Sequence, residues 1–161
     1  MKKRFNEDKN KFLLNSKQFE TAINLQKELE KYLHVLNHLL KTESIPYTLM
    51  LLKTTHECVD MLKKHIRNTD ILFKIPNIEN HYVIILQNTD TNRAIKLGSR
   101  FSSLLQRDFM LNKLIFFNQI KIFGIEKTPI EPYLLAYEMA IEMDENIIED
   151  KENLWKVIKK F

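Results

Sequence analysis

The spacing of hydrophobic residues changes several times along this chain, and each change predicts a helix or a strand. Between Ser16 and Lys41 apolar residues recur every three or four positions, which predicts a long amphipathic helix with Ser16 as its N-cap. Pro46 ends any helix that precedes it. The apolar run Tyr47–Lys53 then predicts a buried strand.

The remaining elements follow in the same way. They are a helix over Thr55–Arg67, strands over Asp70–Ile75 and Tyr82–Gln87, a helix over Thr91–Arg107, a strand within Leu114–Ile125, a helix from Pro132 to about Met143, and a last helix over Glu152–Phe161. The resulting order, α-βαββαβ-α plus a C-terminal helix, predicts an α+β fold of the ferredoxin-like type. We expect an antiparallel sheet with helices on one face.

The composition narrows the class of protein. A length of 161 residues predicts one domain over 1–161, with a flexible N-terminus at 1–11 and a helical extension at 144–161. The 25 basic and 21 acidic residues are spread along the chain, so nucleic acid is not an expected partner. Cys58 has no second cysteine to pair with, and no apolar run approaches the roughly 20 residues of a membrane helix. We therefore expect a cytoplasmic protein without a membrane partner.

Several short segments match one family in order along roughly residues 8–143. They are Asp8 to Lys17 with Phe19, Arg67-Asn68-Thr69-Asp70, Leu86 to Asp90 with Ala94, Ile120 to Ile125, and Leu135 to Ala140. Together they resemble the motifs of the GGDEF (diguanylate cyclase) domain. The resemblance implies a nucleotide-cyclase-like elaboration of the ferredoxin-like fold.

The departures from that family bear on the chemistry. The resemblance implies two Mg²⁺ ions held by carboxylates, one at the end of the first strand and one at the hairpin tip. Lys53 stands at the first position, and Glu79, Asn80 and His81 followed by Tyr82 stand where the family has Gly-Asp-Glu-Phe. The family's guanine-binding segment is missing after the first strand. We therefore predict a degenerate domain that is not an enzyme, with no catalytic residues, metal or cofactor.

Arg67 and Asp70 are the candidate ligand-binding residues. The resemblance implies an allosteric site for cyclic di-GMP at this Arg-x-x-Asp motif, and arginine suits phosphate and purine recognition. The alternative is a pair at the end of a helix that only sets the turn into the next strand. Both interpretations remain open at the level of the sequence.

Other polar and aromatic residues suggest simpler roles. His56, Glu57, Cys58 and Asp60 could ligate zinc, but without a second cysteine capping and solvent exposure explain them better. Phe116, Phe117 and Phe123 near lysines could stack on nucleic acid, although a core position is the simpler interpretation.

Two features favour protein–protein contact. The long N-terminal helix has apolar residues over more than a narrow stripe, and Trp155 in the tail is an aromatic anchor of the kind found in interfaces. Either could form a homodimer or dock a protein partner, and the alternative is packing within the chain. The leading hypothesis is a non-catalytic regulatory module in bacterial signalling that binds an unidentified protein. The alternative hypothesis is a receptor for cyclic di-GMP or another nucleotide.

Overall fold

The computed structural model of this protein describes residues 14–116 and 118–143, together with the backbone of 154–158. This part of the chain forms four helices and five strands. In chain order they are α1 (Ser16–Glu43), β1 (Tyr47–Thr54), α2 (Val59–His65), β2 (Ile71–Lys74), β3 (His81–Gln87), α3 (Thr91–Leu111), β4 (Asn118–Ile125), α4 (Pro132–Ile141) and β5 (Leu154–Ile158). The predicted α+β fold is confirmed. The predicted flexible segment 1–11 lies outside the described residues.

The strands form a single sheet in the order β2-β3-β1-β4-β5. The strands β2, β3, β1 and β4 pair antiparallel in that order, and β1 pairs over Tyr47–Lys53 with β3 and over Tyr47–Thr54 with β4. The fifth strand runs parallel to β4, with Leu154 opposite Gln119 and Ile158 opposite Phe123. The sheet is therefore mixed, with its parallel pair at one edge.

The strand β5 corrects one prediction. A C-terminal helix was expected over Glu152–Phe161, and 154–158 is a strand instead. A short apolar run fits either state by its spacing, and β4 offers it a free edge of backbone donors and acceptors. The rest of the predicted extension lies outside the described residues.

Helices cover both faces of the sheet, which corrects the expectation of a single covered face. One core holds α1 and α4 against the face that carries Leu49, Val83 and Phe123. The other holds α2 and α3 against the face that carries Met50 and Ile84. All eight residues of β1 are buried, as expected of a central strand with helices on both sides.

The helix α1 begins and ends with well-formed caps. Its N-cap is Asn15, one residue before the predicted Ser16, because Asn15 and Gln18 form a reciprocal capping box with hydrogen bonds of 2.8 and 3.0 Å. At the other end Ser44 adopts a left-handed conformation, and its N–H bonds back to the last turn. The buried side of α1 is a line of five leucines at positions 25, 29, 33, 36 and 40.

Candidate functional site

The positions that the sequence resemblance predicts for a catalytic centre hold basic side chains. Lys53 lies opposite His81 of β3 and Gln119 of β4, and Lys121 is two residues further along β4. These four residues point to the same face of the sheet as Leu51, because side chains alternate along each strand. Lys53, His81 and Lys121 are buried.

This basic cluster, Lys53, His81, Gln119 and Lys121, is closed by the end of α4. Lys121 Nζ donates to the backbone carbonyl of Glu142 and lies 3.6 Å from its carboxylate Oε1. The cavity between the cluster, Glu142 and Met143 has a volume of about 10 Å³. That space fits about one water molecule, whereas small-molecule sites start at about 300 Å³.

The charge of this cluster is the opposite of what a metal site needs. Lysine ammonium groups repel Mg²⁺, which takes carboxylate oxygens. His81 Nδ1 lies 2.7 Å from the carbonyl oxygen of Glu79, an acceptor, so Nδ1 carries the proton. Across the described residues, no group of three or more His, Cys, Asp or Glu side chains is placed to hold a metal ion.

The hairpin tip between β2 and β3 is built without glycine. Asn77 and Asn80 both have positive φ angles, of 60° and 58°, a conformation that asparagine tolerates better than most residues. The tip is held by a hydrogen bond of 3.0 Å from Asn24 to Asn77 and by another of 3.0 Å from the Thr54 N–H to the Asn80 carbonyl. Glu79 is exposed at the tip. The predicted tip residues therefore lie together beside Lys53.

Arg67 and Asp70 form a local ion pair that shapes the entry into β2. The guanidinium donates to the Asp70 carboxylate over 2.8 to 3.3 Å, and the same carboxylate accepts the Arg67 backbone N–H at 2.8 Å. The Asp70 side chain is only 1% exposed, whereas that of Arg67 is 45% exposed. Arg67 Nη2 also donates to Thr89 Oγ1 at 2.9 Å, which ties this turn to the end of β3.

A cleft opens beside this pair. It has a volume of about 390 Å³, and it places the guanidinium groups of Arg67 and Arg93 near an apolar wall. Its lining residues are Leu36, Leu39, Ile45, Pro46, Arg67, Thr69, Gln87, Asn88 and Arg93. The cleft combines two cations with apolar surface, which suits a ligand that has both anionic groups and a flat ring.

A second open surface lies between α1 and α4. This α1–α4 groove has a volume of about 590 Å³, and its lining is mostly apolar. The lining residues are Leu14, Phe19, Ala22, Ile23, Gln26, Tyr133, Leu134 and Tyr137. Phe19, Ile23, Tyr133 and Leu134 are all exposed. The sequence indicated the part of this surface that α1 supplies, because the apolar residues of that helix cover more than a narrow stripe. The part that α4 supplies follows only from the tertiary packing.

The side chain of Trp155 lies outside the described residues, so its role in an interface stays a prediction. The polar cluster near Cys58 shows the expected capping, since Glu57 accepts the Val59 backbone N–H at 3.1 Å, but the expected solvent exposure is wrong for Cys58 itself. Cys58 is buried, its N–H donates to the Tyr82 hydroxyl at 3.1 Å, and burial raises the pKa of its thiol to about 12. Phe116 and Phe123 are core residues, as the simpler interpretation predicted.

Comparison with known proteins supports the fold. No known protein-family profile matches this sequence, and no curated protein matches it. Among solved structures, the chain is similar to the diguanylate cyclase SiaD of Pseudomonas aeruginosa, determined in complex with its activator SiaC. The TM-score is 0.52 at 10% sequence identity, over 81% of this chain.

The chain spans 57% of the length of that cyclase chain. At such low identity the similarity shows a shared fold and does not extend to residues of the active site. Within the described residues, no helix is both long enough and apolar enough to cross a membrane. The similarity to the SiaD chain shows that the protein has a GGDEF-like, diguanylate cyclase-type fold.

Proposed function

We propose that this protein is a non-catalytic regulatory module that uses a cyclase-type fold to bind protein, with a second copy of the chain as its first partner. The observation that carries this proposal is the exposed apolar groove between α1 and α4. The similar cyclase SiaD was determined with a protein activator, which supports a role in protein contact for this fold.

The basic cluster supports the absence of catalysis. Phosphoryl transfer from a nucleoside triphosphate needs divalent cations to neutralise the developing charge, and those cations need oxygen ligands. Lys53 and Lys121 are buried beside His81, where metal ligands would have to stand. The enclosed cavity between Lys53, Lys121 and Glu142 has a volume of only about 10 Å³, too small for a triphosphate. The open cavity on the other side of His81, of about 470 Å³, has Glu79 as its single carboxylate, whereas two Mg²⁺ ions need several oxygen ligands.

The groove has the features of an interface. Isolated exposed apolar residues are ordinary on protein surfaces, but contiguous ones mark contact sites. Phe19 and Ile23 lie one turn apart on α1 and face the exposed Tyr133 and Leu134 of α4. Aromatic side chains beside a concave apolar surface are typical anchors of protein interfaces.

The charges beside this groove favour a two-fold contact between copies. Glu20 and Lys27 are exposed and lie seven residues apart, so they share one stripe of α1 with Ile23. They are equally distant from the midpoint between Ile23 and Asn24. Antiparallel packing of α1 on a second α1 about that midpoint places Glu20 of each copy opposite Lys27 of the other. An interface of this kind is self-complementary, as two-fold symmetry requires.

Sedimentation velocity over a wide range of protein concentration tests this proposal. We expect a monomer–dimer equilibrium that Phe19→Glu weakens at least about tenfold, since a charge would enter the apolar contact. Val35→Glu is the matched control, because Val35 lies on the same helix with 58% exposure against 59% for Phe19 but is not part of the groove. It should leave the equilibrium unchanged.

A charge exchange sharpens the experiment. Lys27→Glu alone should weaken the dimer through repulsion from Glu20 of the second copy, and the double variant Glu20→Lys with Lys27→Glu should restore it. A protein that stays monomeric at every concentration would refute the dimer. A dimer that Phe19→Glu leaves intact would place the contact elsewhere.

The cleft beside Arg67 favours a second candidate function, which is binding of cyclic di-GMP or another nucleotide. Arg67 and Arg93 supply cationic donors at the rim, and Leu36 and Pro46 supply apolar surface. Isothermal titration calorimetry with cyclic di-GMP tests this candidate. Saturable binding that Arg93→Ala weakens while the fold is retained would support it, and the absence of binding heat would exclude it.

A further inference from the structure

A short apolar loop at the end of α3 protrudes from the domain. Between the buried Phe109 and Phe116, six consecutive residues are exposed, and four of them are large and apolar. Leu111 and Ile115 are 75% and 74% exposed, and Met110 and Leu114 accompany them. We call residues 110–115 the α3 loop.

The two ends of the α3 loop are held together by aromatic stacking. The rings of Phe109 and Phe116 are nearly parallel, with centroids 4.2 Å apart. The His56 ring stacks against both, at 5.4 and 6.3 Å, and its Nε2 lies 2.8 Å from the Ile115 carbonyl. The base of the loop is therefore part of the folded core.

The turn itself is fixed by backbone hydrogen bonds. The N–H of Leu114 donates to the Phe109 carbonyl at 3.0 Å and that of Lys113 to the Met110 carbonyl at 2.9 Å. With Lys113 in the left-handed conformation at φ 61°, this is a Schellman helix end. These bonds, together with the contact between His56 and the Ile115 carbonyl, fix the course of the loop with its apolar side chains exposed.

Cations surround the apolar residues of the loop. Lys113 lies within the loop, Arg107 lies in the last turns of α3 just before it, and both are exposed. Lys63 and Lys64 are exposed at the end of α2, and the next residue, His65, lies 3.1 Å from Asp108 at the base of the loop. The end of α2 that carries these two lysines therefore lies close to the base of the loop.

The nearby carboxylates are largely engaged within the protein. Asp108 is paired with His65 and also lies 3.4 Å from Arg107, and its hydrogen bond with His65 lowers the pKa of the carboxyl. Glu57 accepts the backbone N–H of Val59 at 3.1 Å. Asp60 lies in the first turn of α2, close to the start of that helix. The surface around the loop thus presents aliphatic side chains with basic groups beside them.

This combination matches a lipid surface better than a protein interface. Protein hot spots are rich in Trp and Tyr, which the loop lacks, and Leu, which supplies two of its four apolar residues, is under-represented in them. The exposed apolar residues of the α3 loop are all Met, Leu or Ile. A segment that lies in a membrane interface buries an apolar face below the headgroups, and its Lys and Arg side chains remain among anionic phosphates.

We propose that the α3 loop docks this protein on anionic lipid bilayers. Leu111 and Ile115 enter the acyl boundary, and Arg107 and Lys113 contact the lipid phosphates. This contact is peripheral and needs no membrane-spanning helix. It does not depend on the proposed function, since the α1–α4 groove is formed by other elements.

Vesicle co-sedimentation tests the proposal with the full chain. We expect binding to vesicles of phosphatidylcholine with phosphatidylglycerol, and much weaker binding to vesicles of phosphatidylcholine alone. The double variant Leu111→Ser with Ile115→Ser should lower the partition coefficient by about tenfold or more, since two aliphatic side chains no longer enter the bilayer. Val35→Ser, an apolar surface position on α1, is the matched control and should bind like the wild type.

The charge contribution has its own test. Arg107→Gln and Lys113→Gln should each weaken binding to the anionic vesicles several-fold, and added salt should shrink that difference. Circular dichroism and thermal unfolding of each variant show that it is folded. Failure of the wild type to bind anionic vesicles would overturn the proposal. Equal binding by the folded Leu111→Ser with Ile115→Ser variant would overturn it too.

Discussion

Removing the Arg67 guanidinium tests how far the Arg67–Asp70 pair is structural. The Arg67→Ala variant loses the bonds to Asp70 at 2.8 to 3.3 Å and the bond to Thr89 at 2.9 Å. Hydrogen bonds to a charged group contribute about 1.5–3 kcal/mol, but the 45% exposure of Arg67 lowers this through solvent screening. We expect a loss of about 1–2 kcal/mol in the free energy of unfolding.

Asp70→Ala should cost more, about 2–3 kcal/mol, because the carboxylate also accepts the Arg67 backbone N–H at 2.8 Å. The double variant should then lose about 1 kcal/mol less than the two single losses together, since both remove one shared interaction. At this chain length 1 kcal/mol corresponds to a melting shift of about 2–4 °C.

Urea unfolding followed by circular dichroism measures these values. Arg93→Ala is the control, since Arg93 lines the same cleft with an exposed side chain and should change stability by no more than about 0.5 kcal/mol. If Arg67→Ala were as mild as Arg93→Ala and the double variant simply additive, the pair would have no structural role.

Three further predictions concern packing, capping and pH. Gly124→Ala should destabilise the fold by about 1–3 kcal/mol, because its new Cβ would lie 1.9 Å from Thr91 Oγ1. In a Thr91→Gly background the nearest remaining atom is the Cα of residue 91 at 3.6 Å, so chemical denaturation should show little added cost of Gly124→Ala. Asn15→Ala should cost about 1 kcal/mol by removing the capping box of α1, whereas Ser16→Ala should cost less, as thermal unfolding can show. Burial raises the pKa of both Cys58 and Tyr82 to about 12. The folded state therefore keeps two protons that the unfolded state releases at lower pH. The free energy of unfolding should fall as pH rises above about 9. Denaturation at a series of alkaline pH values tests this, and a flat profile would contradict it.

The long helices were the most predictable part of the fold. The predicted first residues of α1 and α3 lie within one position of the observed ones. Both helices have many turns of consistent apolar spacing, which leaves little ambiguity. The short helix α2 begins at Val59, not Thr55, because the hydroxyl of Thr54 bonds the His56 carbonyl at 2.6 Å and holds these residues in a loop.

The two-sided sheet was predictable in principle. The strand β1 is apolar without interruption from Leu49 to Leu52, and a strand with one solvated face would alternate. The strand β5 was not predictable from its own five residues, since only the free edge of β4 decides between strand and helix.

Local pairs in the candidate site could be predicted, and contacts between distant segments could not. The spacing of Arg67 and Asp70 indicated a pair, and the structure shows one. The bond from Arg67 to Thr89 joins residues 22 positions apart and follows only from the β2–β3 hairpin. The α1–α4 groove likewise arises where Tyr133 and Leu134 meet the first turns of α1.

The claim at the centre of this account is that the fold of a cyclase is present without its chemistry. The measurement that tests it most directly is chromatographic analysis of products after prolonged incubation of the purified, folded protein with GTP and Mg²⁺. The account predicts that GTP is recovered unchanged and no cyclic di-GMP forms, because Lys53, His81 and Lys121 stand where metal ligands are needed. Formation of cyclic di-GMP that depends on Mg²⁺ and is lost in Lys53→Met or His81→Ala would contradict it.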